Sequence, residues 1–318
     1  MFKIKVLIIG AGAIGLAIGT SLISQNIDVS FYASQKTAVS LKENGVGREG
    51  LFRHLHFDSS SFTVYTDYNQ IPKDSFNFLI VATKTSVNYQ VAGDLHRHRN
   101  IMANDAKIII FQNGFGYDEE YTKYFDADRI FSTAILTGFK RVDSHISIIT
   151  GHTHPLMIGS LHTDCDDIKI ISELMAESGF PSDVTNEIEK DLWAKMLFNC
   201  ALNPLSAILN VKYGKLAENE YSLNIINQLI SETFEVMEKS GHKTNWSNVE
   251  EYKEIFFNQF FPDGYEHESS MLEDIKNKNK TEIDSLNGKI VELANNLDMD
   301  VPVSRIIVNI IKSIESNF

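Results

Sequence analysis

The sequence predicts an α/β domain built on a parallel sheet, followed by an all-helical domain. Strand-like and helix-like segments alternate through the first half, a glycine-rich turn joins the first strand to the first helix, and strand patterns end near residue 186. Such alternation is typical of a parallel sheet with helices on both faces. At 318 residues the chain exceeds what one hydrophobic core usually holds, so we expect two domains, residues 1–186 and 187–318.

The strands of the first domain are predicted from short apolar runs rich in branched and aromatic side chains. They are expected at Val6–Ile9, Val29–Tyr32, Phe78–Ala82, Ile108–Phe111, Ile130–Leu136, Ile146–Thr150 and Leu156–Ile158. Helical segments are expected between and after them at Ala13–Gln25, Lys36–Glu43, Val87–His96, Tyr117–Phe125 and Ile168–Ser178. Because helices separate the leading strands, these strands should lie parallel in one sheet.

The second domain is predicted to be helical throughout. Apolar residues recur at helical spacing in Glu187–Ala201, Tyr221–Lys239, Glu250–Phe257, Glu282–Leu297 and Ser304–Ser316. None of these segments has the alternation of a strand, so no sheet is expected beyond the domain boundary.

Composition and charge exclude several classes of function. Apolar residues make up 43% and charged residues 22%, as in ordinary globular enzymes. A formal net charge of -13 argues against a nucleic-acid or anionic-membrane partner, because both require a basic surface. The N-terminus lacks a signal-peptide pattern, and no run reaches the roughly 20 apolar residues of a membrane span. Two cysteines far apart, Cys165 and Cys200, indicate a reducing compartment, so we expect a soluble, cytoplasmic protein.

The turn after the first strand has the pattern of a dinucleotide-binding turn. It consists of Gly10, Ala11, Gly12, Ala13, Ile14 and Gly15. Gly10 permits the tight turn, Gly12 lets backbone amides approach a pyrophosphate, and Gly15 lets the helix pack closely on the sheet. The helix start adds free N–H groups and a positive dipole end. A purely structural glycine turn is the alternative, but the strand before it and the helix after it favour a Rossmann-type domain that binds a nicotinamide dinucleotide.

The end of the second strand indicates which dinucleotide is bound. In NAD-binding domains an Asp or Glu about 20 residues past the glycine motif binds the ribose hydroxyls. The stretch Phe31–Lys36 contains no acidic residue, whereas Ser34 and Lys36 can meet a 2′-phosphate. The sequence therefore favours NADP, although Lys36 can equally be a solvated lysine at a helix start.

A row of polar residues marks the first helix of the second domain. Lys195, Asn199 and Asn203 recur every four residues, so a helix places them on one face. Apolar residues flank the row, and a lysine in such surroundings is partly desolvated, which shifts its pKa towards catalytic use. The alternative is an exposed polar stripe on an amphipathic helix.

These motifs, in this order and spacing, resemble the ketopantoate (2-dehydropantoate) 2-reductases over nearly the whole chain. The matching segments are the glycine turn, Val81–Lys84, Gln112–Gly116, Leu192–Lys195, Asn199–Cys200, Asn203–Ala207, Ser269–Ile275 and Thr281–Gly288. Each motif is modest alone, and it is their ordered series that is specific.

The resemblance implies the NADPH-dependent reduction of 2-dehydropantoate to pantoate in pantothenate biosynthesis. It implies that Lys195 is the general acid that protonates the ketone oxygen as hydride arrives, and an ammonium group can both polarise a carbonyl and deliver a proton. It also implies that Glu282 orients this lysine and the substrate hydroxyl.

The resemblance further implies which residues bind the substrate and the cofactor. Ser270 would bind the substrate carboxylate, and Asn199 and Asn203 would form hydrogen bonds with the substrate. Asn113 would lie at the nicotinamide end of the cofactor, and Lys84 near the cofactor. Taken singly, Ser270 is equally a helix-start hydroxyl, and Asn113 with the glycine after it equally a turn.

The chain departs from the family pattern at three positions. Ser34 stands where many members have an arginine for the 2′-phosphate, and Tyr213 and His267 stand where asparagines are usual. Two alternatives therefore stay open. One is an NAD(P)-dependent reductase of another 2-oxo acid, of the D-2-hydroxyacid dehydrogenase type, and the other is a catalytically silent NADPH-sensing Rossmann protein.

No metal is expected, and the expected partner is a small molecule. The histidine pairs in His96–His98 and His152–His154 lack a carboxylate or cysteine at ligand spacing. The partner should be a 2-oxo acid rather than a nucleic acid or a membrane. The sequence leaves the oligomeric state open, a homodimer included.

Overall fold

The computed structural model describes residues 4–318, which divide into two compact units. Unit 1 comprises the described residues up to Gln112 together with Tyr117–Ile188. Unit 2 comprises Asn113–Gly116 together with Glu189–Phe318. Unit 1 combines strands and helices and unit 2 is helical, so the predicted fold class is confirmed.

Unit 1 contains all the strands found within residues 4–318. They are β1 (Lys5–Ile9), β2 (Asp28–Tyr32), β3 (Val46–Gly50), β4 (Leu55–Phe57), β5 (Thr63–Tyr65), β6 (Phe76–Val81), β7 (Met102–Ile110), β8 (Ile130–Ala134), β9 (Thr137–Asp143), β10 (Ile146–His152), β11 (Leu156–Gly159) and β12 (Ser182–Val184). Its α-helices are α1 (Ala13–Ile23), α2 (Gln35–Asn44), α3 (Asn88–Arg97), α4 (Glu119–Thr122) and α5 (Lys169–Glu177).

The larger sheet of unit 1 has eight strands in the order β12-β11-β8-β7-β6-β1-β2-β5. Neighbouring strands are parallel except for β8 and β11, which are antiparallel. β1 lies between β2 and β6, so the strand order reverses direction beside it. In open sheets of this kind ligands bind outside the carboxyl ends of the strands at such a reversal, which is where the glycine turn follows β1.

A second, four-stranded sheet in the order β4-β3-β10-β9 completes unit 1. Helix α1 packs against β2 of the larger sheet and against β3 and β10 of the smaller one. Every residue of α1 from Gly15 to Ile23 is buried. Because a sheet covers each side of this helix, its buried residues are distributed all round it rather than along one face.

Several expectations for unit 1 need correction. The predicted helix Tyr117–Phe125 is wrong except for α4, because its end forms tight turns in which two successive N–H groups bond the carbonyl of Tyr121. The predicted strand Ile130–Leu136 ends at Ala134. Strands β3, β4, β5, β9 and β12 were not expected. β3 reads VGREG, so glycines and charges hide its strand pattern.

Unit 2 consists of helices joined by turns. They are α6 (Ile188–Leu209), α7 (Tyr213–Ala217), α8 (Glu220–Lys239), α9 (Val249–Ile255), α10 (Phe261–Asp263), α11 (Ser270–Lys276), α12 (Asn287–Asn296) and α13 (Pro302–Glu315). A π-helical turn, Phe256–Phe260, joins α9 to α10, so the predicted helix Glu250–Phe257 continues in altered geometry.

Helix α12 begins later than the sequence predicts. The expected helix Glu282–Leu297 is wrong in its first turn, because Ile283–Ser285 forms a 3-10 turn and Leu286 has φ -105° and ψ -109°. This non-helical residue separates Glu282 from α12. The carboxylate therefore belongs to a turn before the helix rather than to the helix itself.

Helix α6 continues past the predicted end at Ala201 to Leu209, although it contains Pro204. Its 22 residues make it long and apolar enough to cross a membrane by length and composition alone, contrary to the expectation that no segment would be. Of its most apolar window, 67% is buried inside the protein, as in the core helix of a folded domain.

Candidate functional site

The glycine turn of unit 1 is tightly packed at two of its glycines and open at the third. Gly10 has φ +99°, and a Cβ on it would lie 2.8 Å from the carbonyl oxygen of Ala82. A Cβ on Gly15 would lie 2.0 Å from the Gly10 carbonyl oxygen, so the fold itself requires both glycines. At Gly12, by contrast, a Cβ would approach only the Ala82 oxygen, at 3.9 Å. Gly12 is the N-cap of α1, and no side chain caps this helix start. The first backbone N–H groups of α1 therefore face the open space at Gly12, and a pyrophosphate would fit there.

The end of β2 leads into the start of α2, where Ser34 and Lys36 lie. Both are exposed. The Ser34 hydroxyl caps α2, accepting from Thr37 N at 3.4 Å and donating to Thr37 Oγ1 at 3.2 Å. Arg141 of β9 donates from Nη2 to the same Thr37 Oγ1 at 2.9 Å. A guanidinium group therefore lies beside the helix start at which the sequence has a serine instead of an arginine.

Lys84 is exposed just before a 3-10 turn, Thr85–Val87, in the loop that follows β6. The residue before it is held by Gln112, whose Nε2 donates to the carbonyl oxygen of Thr83 at 3.0 Å and to Asn88 Oδ1 at 2.7 Å. The loop also lies against the glycine turn, since a Cβ on Gly10 would be 2.9 Å from Thr83 Cγ2. Lys84 thus lies on a loop that packs next to the glycine turn.

In unit 2, Lys195 lies within electrostatic range of Glu282. Lys195 lies on α6 and is half-buried, whereas Glu282 is 7% exposed. Burial lowers the pKa of Lys195 to about 8, and the charge of Glu282 opposes that shift. A lysine in this range can hold a proton near neutral pH and also release it, which is the property of a proton donor.

Asn113 is held against Glu282. Its Nδ2 donates to Glu282 Oε2 at 2.8 Å. The next residue, Gly114, has φ +107°, and a Cβ on it would lie 2.4 Å from the Ser285 carbonyl oxygen, so only glycine allows this approach. Phe115 then packs against Trp193 of α6, with ring centroids 4.8 Å apart. The loop therefore brings an amide to the carboxylate.

Asn199 and Asn203 continue the polar face of α6 beyond Lys195. Asn199 is 9% exposed and Asn203 is 4% exposed, so the row is not a solvent-facing stripe. Tyr213 donates its hydroxyl to Asn203 Oδ1. Tyr213 is one of the positions where the sequence departs from the resembling family, and its backbone N–H donates to the carbonyl of His267, another such position, at 3.1 Å.

Ser270 is exposed as the first residue of α11, while its neighbour Ser269 is fully buried. Ser269 caps the helix by accepting from Leu272 N at 3.1 Å, and its Oγ lies 3.3 Å from Ser206 Oγ. The helix-start role considered for Ser270 thus belongs to Ser269. Ser270 keeps its hydroxyl on the surface of unit 2.

Sequence reasoning missed three residues that shape these regions. Arg141 carries no local signal, because its partner Thr37 is 104 residues away in the chain. Tyr213 was noted only as a departure, without its bond to Asn203. Asn287, whose Nδ2 donates to the Cys200 carbonyl oxygen at 3.1 Å, was not predicted to have a role of its own. The presence of Pro204 in α6 could have indicated such a bond, because a proline has no N–H group and leaves the carbonyl of Cys200, four residues earlier, without its helical partner.

The histidine pairs do not form part of a metal-type cluster. Within residues 4–318 no group of three or more His, Cys, Asp or Glu side chains is arranged to hold a metal ion. His152 Nδ1 lies 2.9 Å from Thr137 Oγ1, and His98 Nδ1 lies 2.9 Å from the Asp94 carbonyl oxygen.

Comparison with protein families assigns both halves of the chain. Residues 6–162 match the family model described as ketopantoate reductase PanE/ApbA, and residues 187–315 match the model of its C-terminal part. The chain is 31% identical over 316 residues to 2-dehydropantoate 2-reductase of Aquifex aeolicus (strain VF5), covering 98% of this chain and 97% of the relative. It is 28% identical over 313 residues to the Pyrococcus horikoshii enzyme of the same name, covering 98% of each.

Solved structures show the same fold. A PanE/ApbA family ketopantoate reductase from Ralstonia eutropha JMP134 has a TM-score of 0.85 at 21% identity, covering 99% of both chains. D-mandelate dehydrogenase, solved with NADH and anilino(oxo)acetate, also has a TM-score of 0.85, at 19% identity and with 99% of both chains covered.

Proposed function

Since the chain belongs to the ketopantoate reductase family of oxidoreductases, we propose that it reduces 2-dehydropantoate to pantoate with NADPH. The observation that carries the proposal is a half-buried lysine, Lys195, whose pKa is lowered by burial to about 8 and which interacts with the charge of the buried Glu282. Burying a lysine costs free energy, because desolvation disfavours its charged form. A lysine with only a structural role would therefore be more stable at the surface, and the buried position favours a role in catalysis.

Lys195 is the proton donor of the proposed reaction. When bound, NADPH supplies a hydride to the carbonyl carbon of the oxo acid. The Lys195 ammonium forms a hydrogen bond to the ketone oxygen, stabilises the negative charge that develops there and transfers its proton to it. The products are a 2-hydroxy acid, the oxidised cofactor and a neutral lysine, which takes up a proton from water before the next turnover.

In the proposed mechanism Glu282 and Asn113 keep Lys195 protonated and oriented. The carboxylate favours the charged form of Lys195, and Asn113 fixes one carboxylate oxygen by a 2.8 Å hydrogen bond. In the proposed complex the amides of Asn199 and Asn203 bind the substrate, and the exposed hydroxyl of Ser270 binds its carboxylate. Uncharged donors suit this role, because they bind an anion without competing with Lys195 for the proton.

The proposed preference for NADPH rests on Arg141. Gly12 and the start of α1 receive the pyrophosphate. The 2′-phosphate binds at the start of α2 through Ser34, Lys36 and the Arg141 guanidinium, which lies 2.9 Å from Thr37 Oγ1. Arg141 thus supplies from β9 the charge that Ser34 lacks.

A second candidate is the reduction of another 2-oxo acid. It is favoured by the hydroxyl of Tyr213, which occupies Asn203 Oδ1, an acceptor that a substrate hydroxyl would otherwise reach. The fold similarity to D-mandelate dehydrogenase is consistent with this candidate. Both candidates use Lys195 in the same way.

The test is the oxidation of NADPH and NADH by the purified protein with a panel of 2-oxo acids. The panel contains 2-dehydropantoate, its analogue without the terminal hydroxyl, and bulkier aromatic 2-oxo acids. The highest kcat/KM with 2-dehydropantoate and NADPH supports the first candidate. A higher value with another oxo acid supports the second, and no turnover with any member contradicts both.

A further inference from the structure

Tyr213 is an enclosed residue of unit 2 that touches the polar face of α6. Its side chain is 2% exposed and packs edge-on against Phe198, with ring centroids 5.8 Å apart. The His267 ring lies beside it at 5.2 Å. The only hydrogen-bond partner of its hydroxyl among residues 4–318 is Asn203 Oδ1.

This bond determines the orientation of the Asn203 amide. Burial raises the pKa of the Tyr213 hydroxyl well above its ordinary value, so the phenol keeps its proton and acts as a donor. If the amide were turned around, the phenol proton would face an NH2 group and would lack an acceptor in a buried place, which is costly. The amide oxygen therefore faces Tyr213, and the NH2 group points away from it.

The NH2 group of Asn203 is available to a ligand. It forms no hydrogen bond within the described part of the chain, yet it is not among the buried polar atoms that lack a partner. It therefore retains contact with solvent-accessible space. Asn203 lies on the same helix face as Lys195, so this face offers an ammonium and an oriented amide N–H, both of them donors.

Resting on the proposed function, we infer that Tyr213 is a positioning residue that fixes Asn203 as a hydrogen-bond donor to an oxygen of the 2-oxo acid. An amide without this bond can rotate and present its own oxygen, which repels a carboxylate or ketone oxygen. Tyr213 thus favours substrates that place an acceptor oxygen at Asn203 over those that place a hydroxyl donor there.

The first test is Tyr213→Phe, assayed with NADPH and the best 2-oxo acid of the panel. KM should rise about 3- to 10-fold, the effect of one neutral hydrogen bond, while kcat and the Kd of NADPH stay within about twofold. Tyr252→Phe is the matched control, because this tyrosine of the same unit is fully buried and its hydroxyl has no hydrogen-bond partner within residues 4–318. Its KM should stay at the wild-type value.

Asn203→Asp tests the orientation with Tyr213 left in place. The variant keeps an oxygen for the tyrosine and replaces the amide donor by an anionic oxygen, so KM should rise at least about 100-fold. In an Asn203→Ala background, Tyr213→Phe should change KM no further, because Tyr213 acts through the amide. Circular dichroism and thermal melts establish which variants fold, and if Tyr213→Phe does not fold, Tyr213→Met, which also lacks the hydroxyl, replaces it in both backgrounds.

The outcomes separate this inference from the proposed function. An active wild-type enzyme whose KM is unchanged in Tyr213→Phe, or in Asn203→Asp, overturns the inference and leaves the reductase assignment standing. A KM effect of Tyr213→Phe that persists without the amide also overturns it. Wild-type protein that turns over none of the 2-oxo acids overturns the proposed function and the inference together.

Discussion

Asn287 donates a hydrogen bond from Nδ2 to the backbone carbonyl oxygen of Cys200, at 3.1 Å. In a regular helix this carbonyl would accept from residue 204, but Pro204 has no N–H group. The fully buried side chain of Asn287 therefore replaces a missing bond of α6. The replacement lies at the end of the row that begins at Lys195, so the start of α12 supports the segment that carries Asn203.

We expect Asn287→Ala to lower the free energy of unfolding by about 1–3 kcal/mol, because a buried carbonyl loses its partner. In a Pro204→Ala background the loss should be smaller, since alanine at position 204 supplies the N–H group. Urea denaturation of both single variants and the double variant measures this. Asn296→Ala, at an exposed position of α12, should have little effect. The same loss in both backgrounds would contradict the role assigned to Asn287.

The parts of the fold that could be predicted are those with a local signal. The predicted strand Val6–Ile9 lies within β1, and the predicted helix Ala13–Gln25 contains all of α1. Both are apolar segments, and the glycine turn between them is typical of a strand followed directly by a helix. The strand Val46–Gly50 was missed because its stability comes from pairing with β10, about a hundred residues further along the chain, and not from its own residues.

In the candidate site, too, the features with a local sequence signal were predicted and the contacts between distant residues were not. Lys195, Asn199 and Asn203 were predicted to share a helix face because four-residue spacing is a local property, and α6 contains all three. The contact of Asn113 with Glu282 joins residues 169 positions apart, and no spacing rule predicts it. Only the resemblance to a family named both residues, and it did not say that they would form a hydrogen bond.

Gly12→Val should weaken cofactor binding without unfolding the protein. Apart from its chain neighbours, a Cβ at Gly12 would have the Ala82 carbonyl oxygen as its nearest protein atom, at 3.9 Å, so a larger side chain would enter the space assigned to the ligand. The Kd of NADPH should rise at least about 10-fold, which is about 1.4 kcal/mol, with the thermal midpoint unchanged. Fluorescence titration and thermal melts measure the two quantities. Gly15→Ala is the contrasting variant and should destabilise the fold, because its Cβ would be 2.0 Å from the Gly10 oxygen. Normal NADPH binding by Gly12→Val would contradict the assignment of the glycine turn as the pyrophosphate-binding site.

Arg141→Ala should reduce the preference for NADPH over NADH. A hydrogen bond to a charged group contributes about 1.5–3 kcal/mol, so kcat/KM with NADPH should fall about 10-fold or more. The value with NADH, which has no 2′-phosphate, should change less than about twofold. Lys140→Ala, the exposed neighbour on β9, is the control and should leave the ratio unchanged. Equal losses with both cofactors would show that Arg141 only stabilises the fold.

Lys195→Ala should lower kcat by about 10²–10⁴-fold, the usual effect of losing a general acid. The Kd of NADPH should be unchanged, since the lysine is assigned to the ketone oxygen and not to the cofactor. Stopped-flow measurement of NADPH oxidation at a saturating concentration of the oxo acid isolates the chemical step. Lys215→Ala, at an exposed position of α7, controls for the loss of a positive charge. A Lys195→Ala enzyme with near-wild-type kcat would mean that the polar row is structural.

The pH dependence of reduction should report the pKa of Lys195. The proton donor must carry its proton, so kcat/KM should be high below about pH 8 and fall above it, as the ammonium with its pKa of about 8 loses the proton. The charge of Glu282 raises this pKa. Glu282→Gln removes that charge and keeps the shape, so the midpoint should move to lower pH.

Glu254→Gln is the matched control for this shift, because it removes a carboxylate charge at an exposed position of α9 and leaves Glu282 and its contacts in place. Its midpoint should equal that of the wild type. The measurement is kcat/KM for the oxo acid at saturating NADPH, which follows the titration of the enzyme before the oxo acid binds. A Glu282→Gln midpoint at or above the wild-type value would exclude Lys195, held by Glu282, as the group whose proton is transferred.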